Sequence, residues 1–151
     1  MPEAWFELKT PGDLFAKLRA DCERLQLEPA DSHAAFDFFV TAWHLVDWLH
    51  PGDAGKVARE ALVNRSPLLS MCRRVANGVK HFELGDPRTG GVSETAVEGP
   101  FDRTFDFSFD RVRLVLHLDG AARDAYGETV QVSELARTIV AWWAAELQLE
   151  P

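Results

Sequence analysis

The sequence predicts an α+β fold that is mostly α, and three observations lead to this prediction. The first half of the chain places apolar residues at helical spacing, residues 105–118 alternate apolar and polar side chains, and residues 134–148 return to helical spacing. With 151 residues, of which 46% are hydrophobic and 26% charged, the chain has the size and composition of one compact domain. We therefore expect a single domain over 1–151, with a bundle of about four N-terminal helices, a small antiparallel β element and a C-terminal helix.

The first two helices are marked by their caps. Thr10-Pro11-Gly12-Asp13 combines a Thr cap, a proline in the first turn and an acid in the third helical position, and Pro29 should end this helix near residue 27. Asp31-Ser32 caps a second helix over about 33–49, which is apolar almost all round. Such a helix belongs in the centre of a bundle.

Two further helices should follow before the strand signals of the second half of the chain begin. A short third helix fits residues 55–64, and Ser66-Pro67 opens a fourth. Gly78 leaves the end of the fourth helix open. The helix ends near 77 if this glycine forms a C-cap, or near 82 if it lies within the helix.

The second half of the chain contains the strand signals. Phe105, Phe107 and Phe109 alternate with polar residues, whereas the apolar positions from Val112 to Leu118 are one residue out of phase, which predicts a bulge or turn near Asp110. Asp119-Gly120 is typical of a hairpin turn, with a strand returning through 126–132. Ser133 should cap a final helix over 134–148 that packs on both the bundle and the sheet.

Charge and cysteine usage restrict the function classes. The net charge of −8 argues against non-specific binding to nucleic acid or to an anionic membrane, and no apolar run approaches the ~20 residues of a membrane span. Residues 56–88 nevertheless carry seven basic and three acidic side chains. This basic island is either a solvated helical face or a local anion site. Cys22 and Cys72 are isolated and the N-terminus lacks a basic signal region, so we expect a cytoplasmic protein.

The second helix carries a polar stripe that contains His44 and Asp47, with Trp43 and Trp48 beside it. A histidine and a carboxylate three residues apart lie on one helix face, where they can share a proton or offer metal ligands. The alternative is that this stripe is simply the solvent side of a half-buried helix.

The fourth helix carries the densest group of residues suited to catalysis: Arg74, Asn77, Lys80 and His81. If the short third helix runs back along the bundle, the second and fourth helices are parallel, and their C-terminal ends meet. In that case these four residues could converge with those of the second helix. The candidate catalytic residues are His44, Asp47, Arg74 and His81, and the candidate binding residues are Trp43, Trp48, Asn77 and Lys80.

Two stretches resemble an uncharacterised bacterial family: Ala42-Trp43-His44-Leu45-Val46-Asp47-Trp48 and Val75-Ala76-Asn77-Gly78-Val79-Lys80-His81-Phe82. More distantly, the fourth helix resembles the HEPN superfamily of helical bundles, in which an Arg and a His lie on one helix with an acid or polar residue on another. Here Arg74 and His81 match that pattern and Asp47 is the acid, although Val75 replaces the polar residue typical after the Arg. The resemblance implies metal-independent ribonuclease chemistry, in which the His moves a proton and the Arg stabilises phosphate charge.

Two other functions remain open at this point. In a non-enzymatic interaction module, structural or regulatory, the His/Asp stripe and the tryptophans would fix helix packing, and the partner would be another protein or a second copy of the chain. A metal site would use His44, Asp47 and His81, with His50 nearby, although Arg74 and Lys80 would repel a cation. RNA is the partner expected at the basic residues 65–88 in the HEPN-like hypothesis. No motif indicates a cofactor.

Overall fold

The computed structural model describes residues 6–81, 91–98 and 113–151, with backbone only for 79–81 and 97–98. It is an α+β structure that is mostly α, as predicted. The helices and strands follow in the order α1 Pro11–Leu27, α2 Ser32–Leu49, a 3₁₀ turn Asp53–Gly55, α3 Lys56–Asn64, α4 Pro67–His81, β1 Val92–Glu98, β2 Arg113–Leu118, α5 Gly120–Tyr126, β3 Thr129–Gln131 and α6 Val132–Leu147.

The predicted caps form where the sequence places them. Thr10 and Asp13 make a reciprocal capping box at the start of α1, and the Asp31 carboxylate accepts hydrogen bonds from the His33 and Ala34 amides at the start of α2. The Ser66 hydroxyl accepts from the Leu68 amide at the start of α4. The α4 helix continues through Gly78 to His81, so this glycine is not a C-cap.

A single apolar core joins α1, α2, α4, α6 and the sheet. Helices α1 and α2 form an antiparallel pair, because Lys17 bonds Thr41 near one end and Arg24 bonds Asp37 nearer the other. The C-terminal helix packs on both bundle and sheet, as expected, and its Ser133 carbonyl accepts from Gln26 of α1. Trp143, Phe38 and Phe39 are among the largest fully buried side chains of this core.

The described strands form a fully antiparallel sheet in the order β1-β2-β3. Its register shifts between Val92 and Glu94, at the start of β1. The predicted Phe105–Phe109 strand, the bulge near Asp110 and Val112 lie outside the described residues. Strand β1 was not predicted, because Gly90-Gly91 indicated only a turn.

Two predictions in the C-terminal half are wrong. Asp119-Gly120 does not form a hairpin, because Asp119 Oδ1 accepts from the Gly91 amide at 2.6 Å and the next residues, rich in alanine, form α5. Ser133 does not cap the last helix, since α6 already begins at Val132 with Gln131 at its N-cap and no side-chain cap bond. The returning strand is shorter than predicted and contains only Thr129–Gln131.

The predicted parallel arrangement of the second and fourth helices is also wrong. Helix α3 has only 9 residues, about 13 Å of helix, whereas α2 has 18 and is twice as long. The chain therefore does not return to the start of α2 before α4 begins. Arg65, just before α4, bonds Glu146 near the end of α6, and the end of α6 packs by Leu149 near Gly12 at the start of α1. Helix α4 thus starts near the C-terminal end of α2 and runs antiparallel to it.

Candidate functional site

The two helices that carry the candidate residues meet at Trp43 and Arg73. The Arg73 guanidinium of α4 lies over the Trp43 ring of α2, 5.6 Å from its centroid. Further along α4, Val75 lines a cleft together with Ser32, Phe36 and Phe39 from the N-terminal half of α2. Advancing along α4 therefore moves toward the start of α2, in agreement with the antiparallel arrangement.

This arrangement separates the candidate catalytic positions. Asp47 lies four residues beyond Trp43 toward the C-terminus of α2, and His81 lies eight residues beyond Arg73 in the opposite direction. At the helical rise per residue, the two positions are about 18 Å apart along the helix axes. The predicted convergence of the two helix ends is therefore wrong.

The polar stripe of α2 lies on its solvent side. His44 is exposed, and the Asp47 side chain is 57% exposed, with its carboxylate 3.5 Å from Nε of Arg59 in α3. No hydrogen bond joins His44 to Asp47, both of which belong to the described part of the chain. The alternative interpretation of this stripe, as the outer face of a half-buried helix, describes it better than a catalytic pair does. Trp43 and Trp48 are half-buried and pack against the core.

Arg59, which the sequence did not single out, closes the C-terminal end of α2. Its Nη1 donates to the carbonyl oxygens of His50 at 2.5 Å and Gly52 at 2.7 Å. The His50 carbonyl is at the C-cap of α2, and the Gly52 carbonyl lies in the turn that follows, where it also accepts from the Gly55 amide. Nothing in a single sequence marks such an arginine, because its partners are backbone atoms.

The basic face of α4 packs beside the sheet. Arg74 is half-buried, and its Nε donates to the Val92 carbonyl oxygen of β1 at 3.1 Å. Asn77 is half-buried on the same helix. Lys80 and His81 occupy the last turn of α4, and their side chains lie outside the described atoms.

Two adjoining clefts open where α4, β1 and the N-terminal half of α2 meet, and we call this region the α4–β1 seam. The first, the apolar cleft, has a volume of about 260 Å³. It is lined by Ser32, Ala35, Phe36, Phe39, Val75, Thr95, Ala96, Leu114, Val115, Leu116 and Val132. The second, the polar cleft, has about 310 Å³ and is lined by Arg74, Val75, Gly78, Val92, Ser93, Glu94 and Thr95. Val75 and Thr95 line both clefts.

Neither cysteine is suited to nucleophilic chemistry. Burial raises the pKa of the Cys22 thiol and the pKa of the Cys72 thiol above their ordinary value, so both remain protonated. Among the residues whose side chains are described, no group of three His, Cys, Asp or Glu is arranged to hold a metal ion. His81, part of the predicted ligand set, is not among those side chains. Within the same described ranges, no helix is long and apolar enough to cross a membrane.

Comparison with known proteins finds no matching family model, no similar curated protein and no similar solved structure. The fold and the clefts therefore define only a structural class, that of a mostly helical α+β protein with a two-part cleft between a helix and a sheet edge.

Proposed function

We propose that this protein is a non-enzymatic binding domain with a regulatory role, and that its binding surface is the α4–β1 seam. The observation that carries this proposal is the pair of adjoining clefts, because small-molecule sites are typically concave and apolar with a few polar groups at fixed positions. The seam also brings together five elements of the fold, since the apolar cleft is lined from α2, α4, β1, β2 and α6.

The state of the candidate catalytic residues supports the same conclusion. Asp47 lies beside Arg59, Arg74 holds the start of β1, and Asp47 is about 18 Å along the helix axes from position 81. General acid–base catalysis needs its groups within hydrogen-bond reach of one reacting centre. Asp47 and Arg74 contact different parts of the fold, so a structural role explains these two residues better than a shared catalytic role.

The proposal is tested by recording amide NMR spectra while a library of small molecules and short peptides is screened against the protein. Compounds that bind should shift the amides of Arg74, Val75, Thr95 and Ala96. The Ala96→Phe variant fills the apolar cleft and should lose these shifts. The Ala61→Phe variant, the same change at an exposed position on α3, should keep them. Hits that cluster around His44 and Asp47, or no hit at the seam, contradict the proposal.

A HEPN-like RNA-cleaving or RNA-binding domain is the second candidate, and the continuity of α4 favours it. Because the helix runs unbroken from Arg74 to His81, the two positions are seven residues apart and about 20° from each other around the helix axis. The basic residues of 65–88 would then bind phosphates and the Arg would stabilise their charge.

This second candidate is tested by cleavage of labelled mixed-sequence RNA in excess EDTA. In the HEPN-like hypothesis the wild type cleaves, the His81→Ala variant does not, and the His33→Ala variant, a change at an exposed histidine of α2, retains activity as the matched control. No cleavage by a well-folded wild type removes the ribonuclease hypothesis.

A further inference from the structure

Thr95 of β1 lies on the side of the sheet that faces the helices, and it is nevertheless exposed. It pairs with Leu116 of β2, and directly paired residues of antiparallel strands share one face of the sheet. Leu116 is 2% exposed and belongs to the core that joins the sheet to the helices. The core is therefore filled at Leu116 but leaves open space at Thr95, and this space is the apolar cleft.

The charge of the lining restricts the ligand. Every described residue that lines the apolar cleft is uncharged. A charged ligand would lose hydration there without meeting an opposite charge, which is costly. Arg74 does not change this, because it lines the polar cleft and already has partners, the Val92 carbonyl among them. The apolar cleft therefore favours a neutral ligand.

Two hydroxyl groups, those of Ser32 and Thr95, are the polar side chains that the described lining offers. Both residues are exposed, so their hydroxyl groups lie toward the open side of the cleft. Within the described part of the chain, neither hydroxyl has a hydrogen-bond partner. A hydroxyl both donates and accepts, so this pair suits a ligand that carries one neutral hydrogen-bonding group at its outer end.

The size and walls of the apolar cleft indicate a single ring. Its volume of about 260 Å³ is at the lower end for small-molecule sites. Phe39 is 1% exposed, whereas Phe36 is 44% exposed although both line the cleft. A ring that packs against Phe36 would remove apolar surface from water, and an offset or edge-to-face contact between two rings adds to that gain.

We propose that the α4–β1 seam binds a small neutral aromatic alcohol, a single ring that carries one hydroxyl group. The ring enters the apolar cleft beside Phe36, and the ligand hydroxyl forms hydrogen bonds with the hydroxyl groups of Ser32 and Thr95. This inference rests on the proposed function, since it names the ligand class of the same surface.

The charge of the ligand is tested with three probes of similar shape in NMR amide-shift titrations of the full chain. Benzyl alcohol is neutral, benzylamine is a cation at neutral pH, and benzoate is an anion. We expect benzyl alcohol to shift the amides of Val75 and Thr95, and we expect each charged probe to bind at least about tenfold more weakly. A charged probe that binds as tightly as benzyl alcohol overturns the inference.

A pair of matched variants tests the place of the ligand. Thr95→Phe fills the apolar cleft and should abolish binding of benzyl alcohol. Thr129→Phe is the control, because Thr129 is an exposed residue of β3 that pairs with His117 and so lies on the other face of the sheet from Leu116. Equal effects of the two variants on binding overturn the inference.

The hydroxyl contacts are tested with the double variant Ser32→Ala, Thr95→Val, which removes both hydroxyl groups and leaves the cleft open. Benzyl alcohol should bind to it about fivefold more weakly than to the wild type, the effect of one lost neutral hydrogen bond. Toluene, which has no hydroxyl, should bind to both proteins with the same affinity. An equal change for the two probes overturns the assignment of the hydroxyl groups.

The library screen separates this inference from the proposed function. If other compounds shift the seam amides while benzyl alcohol does not bind, the ligand class is wrong and the binding domain stands. If no compound shifts those amides, both are wrong.

Discussion

The two ends of α2 are built differently. At the C-terminal end, Arg59 holds the His50 and Gly52 carbonyl oxygens, and the chain turns tightly into α3. At the N-terminal end, Asp31 caps the helix and the neighbouring surface opens into the apolar cleft, where Phe36 is 44% exposed. The C-terminal end of α2 is held by specific hydrogen bonds, whereas the N-terminal end borders the apolar cleft.

This difference shows that chemically suggestive residues and space for a ligand do not coincide in this fold. His44 and Asp47 lie toward the closed end, and neither of them lines the apolar cleft or the polar cleft. The apolar cleft at the open end is lined mostly by alanine, phenylalanine, valine and leucine, which attract little attention in a sequence.

The largest effect is expected from Gly55→Ala at the closed end. An added Cβ would overlap the carbonyl group of His50, which is backbone and cannot move aside without displacing the turn. We expect a loss of about 3 kcal/mol in the free energy of unfolding, measured by urea denaturation. Gly52→Ala is the control. Its φ of 69° strains an alanine but its surroundings are open, so a loss of about 1 kcal/mol is expected. Equal losses would mean that the closed turn is not sterically restricted.

Arg59→Gln should give the next largest effect. It removes the guanidinium donor to two carbonyl oxygens at the end of α2, and a loss of about 2 kcal/mol in the free energy of unfolding is expected. Arg65→Gln is the matched control, because the Arg65 side chain is 58% exposed and its pair with Glu146 should contribute less than about 1 kcal/mol. If both variants lose the same stability in urea denaturation, Arg59 does not close the helix end.

At the open end, the Asp31 cap predicts a pH-dependent effect. Hydrogen bonds from the Ala34 amide and then the His33 amide hold the pKa of Asp31 below its ordinary value. A lowered folded-state pKa means that the stabilisation is present above the unfolded pKa of about 4 and is lost as the pH falls through the folded pKa. The difference in unfolding free energy between wild type and Asp31→Ala should therefore shrink between pH 6 and the lowest accessible pH.

Asp31→Asn provides the comparison for this pH series. Asparagine caps a helix without titrating, so this variant should stay close to the wild type at pH 6 and should not lose the cap on acidification. A constant difference between wild type and Asp31→Ala at every pH would contradict an ionised cap.

The smallest effect is expected from His44→Ala. The His44 side chain is exposed, so its removal should change the free energy of unfolding by less than about 0.5 kcal/mol in urea denaturation. A loss of several kcal/mol would show that His44 has a structural role that its exposure does not indicate.

Local signals in the sequence predicted the helices well. The capping box at Thr10 and Asp13, the Asp31 cap and the Ser66-Pro67 start all lie where the helices begin, and Pro29 follows the end of α1 as expected. Each of these signals acts within one helical turn, so a single sequence contains it completely. The mostly α class follows from the same signals.

The features that could not be predicted depend on contacts distant in sequence. Strand β1 forms because it pairs with β2, although its own residues have weak strand character. Asp119 accepts from the Gly91 amide, a contact that the local Asp-Gly pattern does not reveal. The direction of α4 depends on the length of α3. The direction of α4 in turn determines where the candidate site residues lie. The clefts are gaps between elements and therefore have no sequence signature.

The central claim is that α4 runs antiparallel to α2 and so separates Asp47 from position 81. It is tested most directly by a spin label on Asp47→Cys, with broadening of the α4 amides measured by NMR. The unmodified chain treated with the same label is the control, since both native cysteines are buried. If α4 is antiparallel to α2, broadening is strongest near Pro67 and decreases steadily toward His81. Broadening that increases toward His81 would mean that Asp47 and position 81 lie close together, and it would contradict the antiparallel arrangement of α2 and α4.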